Sequence, residues 1–135
     1  MRIMIELATS GDREYVTLKE VSENQGISEK YLESIIKILV KDGMVFGLRG
    51  KGGGYKLAKS PEECTVGSIL KLTEGSLAPV ACLEGDRNGC DRAGNCVTLP
   101  VWKELSDLID NYLEGITLAN VVSQTEEIPG NDYII

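Results

Sequence analysis

Between residues 17 and 43 the apolar positions fall at helical spacing and divide into two short runs. In VTLKEVSENQGIS, Thr17 with Glu20 three positions later makes a capping box. Leu18 and Val21, with Ser22 beside them, face one side, and Gly26 suits a left-handed C-cap. Ser28 can cap a second helix, EKYLESIIKILVKDG, where Leu32, Ile35, Ile36 and Leu39 form an apolar stripe and Gly43 supplies the stop. Ahead of both, IMIELA reads as the end of an earlier helix. The outer face of the second helix carries Lys30, Ser34, Lys37 and Lys41 at steps of four, three and four, with Tyr31 alongside. Two short helices on a tight turn, the second with a basic and hydroxylated face, predict a helix-turn-helix.

The pattern then changes. In MVFGLRGKGGGYKLAK, residues 45–48 and 55–58 can pair as strands around a basic, glycine-rich tip at 49–54, which predicts a wing. Its glycines permit positive φ and bring backbone N–H groups close to a phosphate or groove edge. A nucleotide-binding loop is the rival assignment. It fails because no phosphate-loop fingerprint threads these residues and the following stretch reads as a strand, not a helix. Residues 99–122, LPVWKELSDLIDNYLEGITLANVV, predict one long helix with Pro100 in its first turn. Trp102, Leu105, Ile109, Tyr112, Ile116 and Ala119 recur at alternating steps of three and four, a seam suited to dimerisation, and Val101, Leu108 and Leu113 widen it. Packing on its own domain is the simpler alternative for that stripe. The remaining 123–135 shows no period.

Composition adds limits. A chain of 135 residues, 42% apolar, can build one compact domain, or a small domain with an appendage. No charged-then-apolar leader and no apolar run near membrane-spanning length is present, so neither secretion nor a membrane span is expected, and the chain is expected to be cytoplasmic. The net charge of -7 argues at first against nucleic acid. Locally the balance reverses: residues 28–59 carry seven basic and three acidic side chains, against four basic and thirteen acidic in 60–135. A basic block in an acidic chain is the expected footprint of a polyanion site.

Three cysteines sit in CLEGDRNGCDRAGNC, a stretch too polar for a core: Cys82, Cys90 and Cys96, separated by seven and five residues. Gly85, Gly89 and Gly94 let that backbone fold so that the sulfurs converge. In a reducing compartment such thiols are more often ligands or redox groups than structural disulfides. Thiolates suit an iron-sulfur cluster, zinc or copper(I). A zinc-finger spacing is excluded, since there is no C-x-x-C pair and no histidine in the chain.

The run from ISEKYLESIIKILVKDGMVFGLRGKGGGYKLAKSPEECTVGSILKLTEG into the cysteine stretch resembles the Rrf2 family of winged helix-turn-helix transcriptional regulators, which has IscR-like, NsrR-like and CymR-like members. The resemblance covers nearly the whole chain and is most specific at LRGKGGGYKLA, at TVGSIL and at the three cysteines. It implies a mainly α fold with a small β-wing: a winged helix-turn-helix domain at 1–75, a cysteine-bearing sensor loop at 76–98, a dimerisation helix at 99–122 and a tail at 123–135. It further implies a homodimer on a palindromic double-stranded DNA operator. The recognition helix would use Ser28, Lys30, Tyr31, Ser34 and Lys37, and the wing Arg49, Gly50, Lys51, Gly52, Gly53, Gly54 and Tyr55. Trp102, Leu105, Ile109, Tyr112 and Ile116 would form the dimer seam.

The resemblance also implies a 2Fe-2S or 4Fe-4S cluster on Cys82, Cys90 and Cys96, whose state sets the DNA affinity of a repressor. A cluster generally takes four protein ligands. The position three residues after the last cysteine, a histidine in IscR-like members, is Leu99. Cys64 reads as a small buried hydrophobe, which leaves a carboxylate such as Asp86 or Asp91, a small molecule, a water or a residue of an amino-terminal lead-in absent from this sequence. The first cysteine gap is longer than usual in the family, and the polar, basic lead-in that usually precedes the first helix is missing before MRIMIELA, as in a shortened amino end. A cluster-free member sensing thiol oxidation or sulfur status is one alternative. An iron-sulfur electron carrier is a more distant one. No histidine base and no nucleophile beside a base is evident, so no enzyme is expected.

Overall fold

The computed structural model describes residues 1–10, 15–84, 91–92 and 94–126. Helix α1 (Arg2–Thr9) is followed by α2 (Leu18–Gln25) and α3 (Glu29–Asp42). Strands β1 (Val45–Leu48) and β2 (Gly54–Leu57) come next, then α4 (Val66–Glu74), a short 3-10 turn (Ala81–Leu83), α5 (Leu99–Glu114) and α6 (Leu118–Glu126).

The local signals act as their chemistry requires. The Thr17 hydroxyl accepts from the Glu20 N–H at 3.2 Å while the Glu20 carboxylate accepts from the Thr17 N–H at 2.9 Å, so α2 starts on a complete capping box. Gly26 closes it at φ 66°, where a Cβ would be strained. The Ser22 hydroxyl donates to the Ile27 carbonyl at 2.6 Å and braces the turn into α3. Ser28 then caps α3 by accepting from the Tyr31 N–H. From α1, Glu6 accepts hydrogen bonds from the side chains of Asn24 and Gln25, which ties the first helix to the second.

The two strands pair antiparallel with Val45 opposite Leu57 and Leu48 opposite Gly54. The second strand therefore begins one residue earlier than its apolar alternation suggests, although the Ala58 N–H still donates to the Met44 carbonyl. Val16 and Tyr55 exchange backbone hydrogen bonds of 2.9 and 2.7 Å, which fastens the segment before α2 to the wing. A Cβ on Gly53 would lie 2.1 Å from the Leu48 carbonyl oxygen, so the tip closes only with glycine there.

One core joins these elements. Ile3, Met4 and Leu7 of α1 meet Val21, Leu32, Ile36, Leu39 and Ile69, with Met44, Val45 and Cys64 closing the layer. Each fully buried aliphatic side chain contributes roughly 1.5–3 kcal/mol. The fold is a mainly helical winged helix-turn-helix. Among the described residues no helix is long and apolar enough to cross a membrane.

The carboxy-terminal region differs from the single helix expected over 99–122. Helix α5 stops at Glu114, and the chain turns through Gly115, Ile116 and Thr117 before α6. Thr117 and Asn120 cap α6 reciprocally: the Thr117 N–H donates to Asn120 Oδ1 at 2.9 Å and the Asn120 N–H to the Thr117 hydroxyl at 3.1 Å. Leu118, fully buried, enters the main core, and α6 lies against α1. Ile116 and Ala119 thus fall beyond the end of α5, off the run that carries Trp102, Leu105, Ile109 and Tyr112. Of the tail, 127–135 lies outside the described residues.

Candidate functional site

Helix α3 buries Leu32, Ile36 and Leu39, which rotates Lys30, Ser34, Lys37 and Lys41 to solvent. Ser28 and Tyr31 are exposed at its start. The wing stands beside the carboxy-terminal half of this helix. Between them runs a cleft of about 620 Å³ lined by Lys37 and Lys41 on one wall and by Gly47, Leu48, Arg49, Gly50 and Tyr55 on the other. A Cβ on Gly47 would come 3.0 Å from the Tyr55 ring, so the absence of a side chain there gives the ring its place over β1. Arg49 and Lys51 project at the exposed tip, where Gly50 and Gly52 adopt φ of 96° and 77°.

The fold therefore brings Lys37 and Arg49 onto one cleft together with Lys41, a residue of the basic helix face that the resemblance did not assign. Tyr31 and Ser34 line a different cleft of about 410 Å³, between α3, α1 and α4. In the wing, Lys56 of β2 sits 5.1 Å from the centre of the Tyr15 ring, a cation–π contact.

Cys82 lies in the 3-10 turn after α4, and Cys96 lies three positions before Leu99, the first residue of α5. Both are partly buried free thiols. Cys90 and Asp86 lie outside the described residues, and Asp91 is exposed. Among the described residues no three ligating side chains converge. Cys96 Sγ is 3.3 Å from the Thr98 hydroxyl. That contact, helped by backbone N–H groups at Thr98 and Leu99 and by Arg92, holds the Cys96 thiol below the ordinary range. Cys64 behaves oppositely. It is 2% exposed inside the core, where burial pushes its thiol up. Two partly exposed thiols, one of them biased toward thiolate, fit a soft metal or cluster in kind, whereas the buried one does not.

The contrast has a chemical consequence. At about pH 7, iodoacetamide should modify Cys96 rapidly and Cys64 last, because the thiolate fraction and access both favour Cys96. Timed alkylation of metal-free protein followed by peptide mass analysis reads the order. Modification of Cys64 ahead of Cys96 would contradict this assignment of their surroundings.

Helix α5 has no buried residue. Val101, Leu108 and Tyr112 are 59%, 60% and 70% exposed, and Trp102 and Leu105 also reach solvent. Val101, Leu105, Leu108 and Tyr112 fall at helical steps of four, three and four along α5. Ile109 of the expected seam is half-buried.

Residues 1–124 match the family model described as Rrf2, iron-dependent transcriptional regulator. The chain is 39% identical over 123 residues to the HTH-type transcriptional regulator IscR of Pectobacterium carotovorum, covering 91% of this chain and 74% of that protein. With the IscR of Cronobacter sakazakii it shares 35% over 129 residues, covering 96% and 78%. Among solved structures, T. potens IscR superposes with a TM-score of 0.73 at 34% identity, covering 98% of this chain and 89% of that one. CymR (YrzC), the global cysteine regulator of B. subtilis, gives a TM-score of 0.73 at 31% identity, covering 92% and 90%. These relatives are transcriptional regulators, and this chain, like them, is not an enzyme. By sequence and by fold, the chain belongs to the Rrf2 family of DNA-binding transcriptional regulators.

Proposed function

We propose that the chain is a homodimeric, cytoplasmic repressor whose affinity for a palindromic operator follows the state of an iron-sulfur cluster held by Cys82, Cys90 and Cys96. What carries the DNA part is the basic cleft between α3 and the wing, with Lys37, Lys41 and Arg49 on facing walls. A duplex laid against it would place α3 in the major groove, with Ser28, Lys30, Tyr31, Ser34 and Lys37 toward it. The wing tip, Arg49 through the glycines to Tyr55, would follow the adjacent backbone or minor groove. The backbone at Gly50, Lys51 and Gly52 carries no bulky side chain except at Lys51, so a phosphate can approach its N–H groups closely, while the Gly53 N–H closes the tip on the Gly50 carbonyl at 3.0 Å.

The cluster part is supported by the chemistry of the donor set. Cys82 and Cys96 are free and reachable, and the surroundings of Cys96 favour its charged form, the one a metal binds. When bound, such a group supplies a charge and ligation state that changes with redox conditions or reactive gases. The chain's own part is to connect that state to α5, since the cysteine-bearing segment runs between α4 and the start of α5. The exposed apolar face of α5, at Trp102, Leu105 and Tyr112 with Val101 and Leu108, supports pairing with a second copy, as a two-fold site demands.

Anaerobic reconstitution with iron and sulfide tests the whole. Visible charge-transfer absorption with stoichiometric iron is expected, together with dimers in sedimentation and a DNA affinity that differs at least about fivefold between loaded and unloaded protein. Equal affinity in both states would remove cluster control. Peroxide-sensitive DNA binding with no bound iron would favour thiol oxidation as the signal instead.

A further inference from the structure

Helix α5 has no fully buried side chain and only Leu99, Ile109 and Leu113 of its apolar residues are half-buried, so contacts other than core packing help to fix its angle. Its carboxy-terminal end is pinned by backbone. The Val66 N–H donates to the Ile116 carbonyl at 2.8 Å, Thr65 bridges Thr117, and the Leu118 N–H donates to the Cys64 carbonyl at 2.7 Å. These bonds make a pivot beside the start of α4. Away from it, Lys71 in the last turn of α4 reaches Asp110 at 3.3 Å and Glu114 at 3.4 Å. Glu114 also accepts from the Thr65 hydroxyl at 2.9 Å, and Thr65 in turn caps α4. The carboxylate fits there because residue 67 is glycine: a Cβ would lie 2.6 Å from Glu114 Oε1. A cavity of about 420 Å³ adjoins this cluster, lined by Lys71, Asp110 and Ser106 on one side and by Gly75, Ala78 and Leu83 on the other. Leu83 is the neighbour of Cys82, so the cysteine segment and the Lys71 contacts border the same space.

We propose that Lys71, held between Asp110 and Glu114, is a positioning residue that sets the angle of α5 on α4 and so the separation of the two recognition helices in the dimer. This rests on the dimer reading above. Pivot and strut together define one pose; with the strut gone, α5 swings about Gly115 while each winged unit keeps its own core. Exposed ion pairs add little to stability, so the strut acts through geometry and leaves the melting temperature within about 4 °C.

The test uses the full chain and a palindromic duplex selected from random sequence. Lys71→Met keeps the side-chain stem and removes the charge, while Lys71→Arg keeps the charge. The native protein should prefer two half-sites over one and lose that preference when one base pair is inserted between them. For Lys71→Met, single-half-site affinity and dimer content should stay native. Its two-half-site advantage should fall about tenfold, with a flattened spacing dependence, and Lys71→Arg should restore both. A Lys71→Met protein with the native spacing profile overturns the proposal. A native chain that sediments as a monomer and shows no two-half-site preference overturns the dimer reading beneath it, and the two failures are separated by the native protein's behaviour alone.

Discussion

Binding to duplex DNA at about 0.1 M salt should weaken about sixtyfold per bound chain when Lys37 and Arg49 are both replaced by alanine. The two residues stand on opposite walls of the cleft between α3 and the wing, so one backbone segment entering the cleft meets both. Each phosphate neutralised adds about 0.9 to the slope of log affinity against log salt, so losing two lowers it by about 1.8. One decade of salt below a molar reference, that slope change is the affinity loss. Both side chains are exposed and outside the core, so folding should be unaffected. A random-sequence duplex suffices, because this electrostatic part of binding does not depend on the operator. Lys103 on α5 is also exposed, and its replacement serves as the control for net charge alone. An unchanged slope in the double variant, or an equal loss from Lys103→Ala, would place the polyanion surface elsewhere.

What could be read from the sequence was local. The Thr17–Glu20 box, the Ser28 cap, Gly26 and Gly43 each act within one turn of the chain, and all are found where their spacing puts them. The burial of Leu32, Ile36 and Leu39 follows from their period, and the exposure of the lysines follows from that burial. The end of α5 carried signals of the same kind, which the apolar period overrode. Gly115 weakens a helix interior, and Thr117 with Asn120 three residues on is the polar equivalent of the box that starts α2. Steps of three and four continue across that junction through Ile116 and Ala119, which are half-buried beyond the end of α5. Leu118 belongs to the core of α1 and α4, a tertiary fact that no window of the sequence contains. The strut at Lys71 was equally hidden, since its partners lie 39 and 43 positions away and the glycine that admits Glu114 looks like any helix glycine. The opposite fates of Cys64 and Cys96 were partly legible, because one sits beside an apolar helix start and the other in a polar stretch.

Cys96→Ser should reduce iron and sulfide bound after anaerobic reconstitution to background and abolish visible absorption, whereas Cys64→Ser should load as the native protein does. The reason lies in the donor atom. A serine hydroxyl stays protonated near neutral pH and is a hard ligand, so it replaces a thiolate poorly at a soft site. Cys96 is also prepared to ligate, since the Thr98 hydroxyl and the backbone N–H groups at Thr98 and Leu99 favour its charged form. The two variants should divide in stability as sharply as in loading, but in the opposite sense. Cys96 is outside the core, and its replacement should leave the unfolding midpoint of metal-free protein nearly unchanged. Cys64 is 2% exposed, and placing a hydroxyl there without a partner should cost about 1–3 kcal/mol in urea unfolding. Native iron content in Cys96→Ser would remove Cys96 from the ligand set. Loss of iron in Cys64→Ser with unfolding unchanged would move the site into the core, which the burial of that thiol and its raised pKa argue against.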